Sequence, residues 1–165
     1  MLVNEKIKAK VLIEELATMS VATYRVISQE PEKDATLYMK ERIRKSNLNF
    51  NNLRKFGVDI PVSETQQNIG LRGYECWICL PENVKNIEGT SIKIVPIGNY
   101  AVLRINNPTH CSIDTISNGW IELHNWVKMS GYKSALHNPN RYMLEELLKI
   151  EGAFYLDLYY PVSLY

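Results

Sequence analysis

The chain has 165 residues, 45% hydrophobic and 22% charged, which is the composition of a globular domain able to bury a sizeable core. With 19 basic residues against 18 acidic ones the net charge is +1, and no basic patch gives an electrostatic footprint for nucleic acid. No apolar run approaches the ~20 residues of a membrane span. The start Met1-Leu2-Val3-Asn4-Glu5-Lys6 lacks a signal-peptide pattern, and the odd cysteine count of three fits reduced thiols in the cytoplasm.

In chain order, Val11 to Ile13 and Val21 to Ile27 read as strands. Pro31 stands where proline opens a helix, and Ala35, Met39 and Ile43 follow at a spacing of four. Phe50, Leu53 and Phe56 at spacing three predict a second short helical piece, with Gly57 as its cap. Gly73 to Leu80 reads as a strand stopped by Pro81.

The order then repeats. Ile92 to Val95 and Tyr100 to Ile105 are strands around a turn at Ile97-Gly98-Asn99. Ile113, Ile116, Trp120, Leu123 and Val127 mark one face of a helix, with Asn118, Glu122 and Asn125 opposite, Ser112 as its start cap and Gly131 at its end. Tyr142 to Leu148 fits either helix or strand. Phe154 to Leu164 closes the chain as a strand.

Two echoes support duplication: Val21-Ala22-Thr23-Tyr24-Arg25-Val26 with Tyr100-Ala101-Val102-Leu103-Arg104-Ile105, and Cys79-Leu80-Pro81 with Tyr159-Tyr160-Pro161. The expected fold is α+β: two strand-helix-strand-strand halves, roughly 8–84 and 89–163, in one stand-alone domain spanning 1–165. Pseudo-twofold symmetry would relate the halves, with helices on one face of an antiparallel sheet and a ligand cleft on the other.

The closing strand carries the functional clue. Its alternation puts Tyr155, Asp157 and Tyr159 on one face and Phe154, Leu156, Leu158 and Tyr160 on the other. Registered on the matching proline, Glu75, Trp77 and Cys79 share the equivalent face of the first half. Carboxylates withdrawn from water need a partner. A cationic ligand supplies one, and the aromatic rings add attraction of roughly 0.5–2 kcal/mol each. If these faces instead meet open solvent, the acids do nothing.

The stretches Phe56-Gly57-Val58-Asp59-Ile60-Pro61, Gly73 to Glu82, Trp120 to Val127 and Leu156 to Val162 together resemble the GyrI-like effector-binding domain family. That family includes the ligand domains of multidrug-responsive and AraC-type transcription regulators. The resemblance implies a duplicated strand-helix-strand-strand fold with an acidic pocket. It carries the pocket acid onto Glu75 beside Trp77, the closing-strand acid onto Asp157, and a further acid onto Glu145. Asp157 departs from the glutamate often found there. No cofactor, metal or membrane partner is implied, and the chain leaves no room for a helix-turn-helix, so direct nucleic-acid control is not expected.

Three function classes follow. The first is a sensor or sequestering domain that binds cationic or aromatic amphipathic small molecules. The second is a hydrolase of electrophilic aromatic compounds using the same cleft, with Glu75 or Asp157 as acid or base. The third is a protein-interaction inhibitor, for which the charge pattern offers no support. Cys76-Trp77-Ile78-Cys79 is not read as redox or zinc, because on a strand residues three apart point to opposite faces. His110-Cys111 is read as loop rather than a nucleophile pair, and His124 and His137 lack partners at ligand spacing.

Overall fold

The structure is a computed structural model that describes residues 10–106, 108 and 113–164. His110, Cys111 and Ser112 lie outside the described residues.

Its strands are β1 (Val11–Leu16), β2 (Met19–Ser28), β3 (Lys55–Ile60), β4 (Arg72–Cys79), β5 (Ser91–Val95), β6 (Gly98–Asn106), β7 (Lys133–Ser134), β8 (Leu144–Ile150) and β9 (Ala153–Ser163). Helices α1 (Pro31–Lys45), α2 (Glu64–Asn68) and α3 (Ile113–Ser130) are interspersed. α1 begins at Pro31, carries Glu32 and Asp34 in its first turn and Arg42, Arg44 and Lys45 in its last, and buries Ala35, Met39 and Ile43. This charge order complements the helix dipole. α3 buries Leu123 and Val127, with Ile116 and Trp120 packed alongside, and Gly131 follows it at φ +84° as a left-handed terminus.

One antiparallel sheet holds these strands in the order β1-β6-β9-β8-β3-β4-β2-β5, with β7 beside β9. The repeats are legible in it: β2, α1, β3, β4 in one half and β6, α3, β8, β9 in the other. They abut at β3 and β8, where the registered pair is Gly57 opposite Glu145. The outermost strands are exchanged. β1 pairs with β6 of the second repeat, and β5 pairs with β2 of the first. The strands on either side of the Gly98 turn therefore do not form a hairpin with each other.

Two further readings are corrected. Phe50–Asn52 is a short 3-10 turn, but Phe56 and Gly57 lie in β3 rather than in a helical segment and its cap. Pairing with β4 and β8 decides this, because Phe56 and Val58 alternate onto a buried face. Gly57 is needed for clearance, since a Cβ there would collide with the Tyr74 phenol. Of the ambiguous Tyr142–Leu148 stretch, the part from Leu144 on lies in strand β8 at the seam, and Tyr142 and Met143 precede it.

The two long helices, α1 and α3, lie on one face of the sheet. α1 covers Ala22, Cys76 and Ile78, and α3 covers Ala101, Leu103, Leu158 and Tyr160. The other face has its own core of Phe56, Val58, Trp77, Tyr100, Val102, Leu144 and Tyr159.

Candidate functional site

Alternation along β4 and β9 sorts the side chains as the sequence pattern requires. Tyr74, Cys76 and Ile78 pack toward α1, and Leu156, Leu158 and Tyr160 toward α3. Trp77, Tyr159, Glu75 and Asp157 occupy the helix-free face, with both acids buried at 5% and 2% exposure. That face is not an open cleft at its centre. Tyr159 stands edge-on to Phe56 and to Tyr100, with centroids 5.6 and 5.9 Å apart, and these rings fill the space.

The acids of this face are already neutralised by the chain itself. Glu75 accepts from Trp77 Nε1 at 2.6 Å, Lys93 Nζ at 3.1 Å and Arg25 Nε at 2.8 Å. Burial pushes its carboxyl up, but these three donors outweigh burial and hold it below the usual glutamate range. Asp157 takes Arg104 Nε and Nη2 at 2.8 Å each, and Tyr155 lies half-buried under the same guanidinium, 5.1 Å from its ring centre. Glu146 on β8 takes Arg54 Nε and Nη2 at 2.6 and 2.9 Å and the Tyr159 hydroxyl at 2.6 Å.

Glu145 differs. Its neighbour Glu146 faces the arginine network, so Glu145 points to the helix side, where it lies beside α3. There it accepts from the Trp120 indole at 3.2 Å and makes no ion pair among the described residues. Burial pushes its pKa up, against the Trp120 hydrogen bond, and the charges of Asp59 and Glu32 push the same way as burial. Glu145 opens on a cavity of about 560 Å³. Val58 and Asp59 come from the first repeat, Trp120 and Ile121 from α3, and Leu136, Arg141, Tyr142 and Met143 from the segment entering β8; the Arg141 guanidinium is engaged by the Asn99 carbonyl and lies over the Tyr100 ring. The cavity therefore straddles the junction of the repeats. Asp59, also raised by burial, adds a second carboxylate.

Of the sequence candidates, the structure brings Glu75 and Trp77 into one hydrogen-bonded unit and places Asp157 near Tyr155 and, through β8, Tyr159. Glu145 stands apart on the opposite face. Arg25, Arg104 and Arg54 were missed as partners. The repeat echo held the signal for two of them, since Arg25 and Arg104 occupy the same place in the paired stretches. Trp120, placed by its spacing on the apolar face of α3, donates its indole N–H to Glu145.

Cys76 and Cys79 sit on opposite faces, Cys76 beneath α1 and Cys79 beside Met19. Burial pushes the two thiols up to about 12 and about 11, far from a reactive thiolate. His124, exposed on α3, shares a hydrogen bond with the Tyr160 hydroxyl at 3.0 Å. His137 lies in an exposed loop.

A family model described as integron-associated effector binding protein matches residues 12–162. Among solved structures, the C-terminal domain of EcmrR is similar in fold, with a TM-score of 0.66 at 13% identity over 94% of this chain and 98% of that one. A hydrolase from Listeria innocua aligns with a TM-score of 0.62 at 9% identity over 94% of this chain and 93% of its own. SAV2435, solved with tetraphenylphosphonium bound, aligns with a TM-score of 0.56 at 11% identity over 93% and 94% of the two chains. At these identities the likeness shows the fold. No curated protein sequence matches the chain. No helix among the described residues is long and apolar enough to cross a membrane.

Proposed function

Because the chain belongs to the integron-associated effector-binding family and has the GyrI-like fold, we propose that it binds a small amphipathic cation with aromatic character in the Glu145 cavity. The observation that carries this reading is the contrast among four acids. Glu75, Glu146 and Asp157 have basic partners from the chain, whereas Glu145 has been drawn out of water with one neutral donor. A ligand cation between Glu145 and Asp59 relieves both carboxylates, and the Trp120 and Tyr142 rings supply faces for stacking and cation–π attraction. Glu75, Trp77, Asp157, Tyr155 and Tyr159 contribute the frame behind the cavity, most directly through Trp77, which packs edge-on against Tyr142 with centroids 5.0 Å apart.

The role is that of a sensor or sequestering domain. SAV2435 bound to tetraphenylphosphonium makes that cation the reasonable first probe. Calorimetric titration should give binding to the wild type and an affinity about tenfold weaker for Glu145→Gln, equivalent to ~1.4 kcal/mol. Glu75→Gln should bind within a factor of about two of wild type if it folds. Equal affinities for wild type and Glu145→Gln would rule out the charge role.

A second reading rests on the raised pKa of Glu145, which suits a general acid or base, with the fold of the Listeria hydrolase as supporting analogy. Incubation with an electrophilic aromatic compound followed by mass spectrometry separates the two. A hydrated product, absent with Glu145→Gln, favours hydrolysis; unchanged compound favours binding alone.

A further inference from the structure

We propose that the junction of the repeats holds a second ligand site, opposite in charge to the Glu145 cavity, which takes an amphipathic anion: a carboxylate or sulfonate on an apolar body. β3 and β8 are registered at one pair, Gly57 opposite Glu145. The chain on the two sides of that pair opens into two different cavities. Val58, Asp59 and Met143 lead into the one already described. Arg54, Lys55, Leu147 and Leu148 lead the other way, into a cavity of about 740 Å³. Its remaining walls are the turn at Phe50–Asn52 and, from the β8–β9 hairpin, Lys149 and Phe154.

The lining carries three cations, Arg54, Lys55 and Lys149, against one carboxylate, Glu146. Arg54 consumes that carboxylate through two hydrogen bonds. Two positive charges are left over. Lys55 is the counterpart of Glu145. Its ammonium donates to the carbonyls of Phe50 and Leu53 and lies 4.6 Å from the centre of the Phe50 ring, so both of its acceptors are neutral. Burial pulls its pKa down accordingly. Lys149 makes no ion pair among the described residues and lies 5.4 Å from the Phe154 ring centre. An anionic head group offsets both charges with charge-assisted hydrogen bonds. The apolar body follows from the rest of the lining. Leu53 and Leu148 are half-buried there, and Leu147 and Phe154 are 57% and 39% exposed, a surface that a bare inorganic anion would leave uncovered. This site goes beyond the Glu145 reading and stands whether or not that cavity binds a cation.

Two fluorescent probes with one apolar body separate charge from greasiness: 8-anilino-1-naphthalenesulfonate, and the uncharged N-phenyl-1-naphthylamine. Lys149 is exposed, so Lys149→Glu leaves the fold in place. The sulfonate should bind the wild type and bind Lys149→Glu about tenfold more weakly, whereas the amine should not distinguish them. Glu145→Gln should not weaken the sulfonate, and tetraphenylphosphonium should not displace it, which keeps this site separate from the proposed cation site. Amide shifts in NMR spectra of the wild type should cluster at residues 51–55 and 146–149. No binding of the sulfonate, equal affinity in Lys149→Glu, displacement by tetraphenylphosphonium, or shifts centred elsewhere overturns the proposal.

Discussion

At the residue scale, Glu75 and Glu145 show how partners, not burial alone, set the energetic sign of an inward carboxylate. Glu75 has its folded pKa lowered, so it contributes stability above the ordinary glutamate value that is lost as pH falls through its folded value. Glu145 has its folded pKa raised, so it costs nothing at low pH and becomes a liability as pH rises from the ordinary value to the folded one. Urea unfolding should therefore separate the two. At pH 7, Glu75→Gln should lose roughly 1–3 kcal/mol, whereas Glu145→Gln should match or exceed wild type. As pH falls through the folded value of Glu75 both differences should shrink. Glu145→Gln losing as much as Glu75→Gln at pH 7 would mean that a hidden cation partners Glu145. The facing of Glu75, Trp77, Asp157 and Tyr159 was legible because strand alternation is a strict period of two. Their arginines were not, because Arg25 and Glu75 are 50 residues apart and Arg54 and Glu146 are 92 apart. Glu145 and Glu146 were the hardest, since a one-residue slip in a strand without clear period exchanges their faces.

At the scale of elements, the exchanged edge strands are the main departure from what periodicity predicts. β1 precedes the first repeat but pairs with β6 over Val11–Leu16 opposite Gly98–Leu103. Local pattern identified β1 and β5 as strands because their apolar content is high, but pairing is a long-range property that alternation does not encode. The same limit explains Phe56, whose spacing from Phe50 and Leu53 imitates a helix until β4 and β8 claim it. Removing residues 1–17 should consequently loosen the distant repeat. In hydrogen exchange followed by mass spectrometry, amides of β6 should lose protection, while those of β2, held by β4 and β5, keep theirs. Equal loss in β2 and β6 would show that the exchange carries no such selectivity.

At the scale of the whole molecule, the sheet has two differently finished faces. One is sealed by aromatic rings and three sets of charge pairs, and the other carries two helices with a cavity at the junction of the repeats. The duplicated plan was readable from the order of elements and the Pro81 and Pro161 echo. The side of the sheet on which an acid without a basic partner would lie was not, because the arginines that pair the other acids are far away in sequence. A ligand in the cavity, as proposed, would bridge β3, α3 and the segment before β8 and so act as a clasp across the seam. Tetraphenylphosphonium at 100 times its dissociation constant should raise unfolding free energy by about 2.7 kcal/mol. Its exchange protection should be concentrated in β3 and β8. A gain spread evenly over all strands, or none at the seam, would place the ligand elsewhere.

The exchanged edges also govern what happens when the chain is cut. A protease that nicks the connection between β4 and β5 severs the two repeats covalently, yet each fragment still contributes an edge strand paired to the other. The pieces stay interlocked, like two hands with one finger traded, and the seam with its acidic hollow survives the break. Loss of continuity in this protein is thus a poor route to loss of shape, and inactivation by cleavage has to begin at a strand rather than at the link between halves.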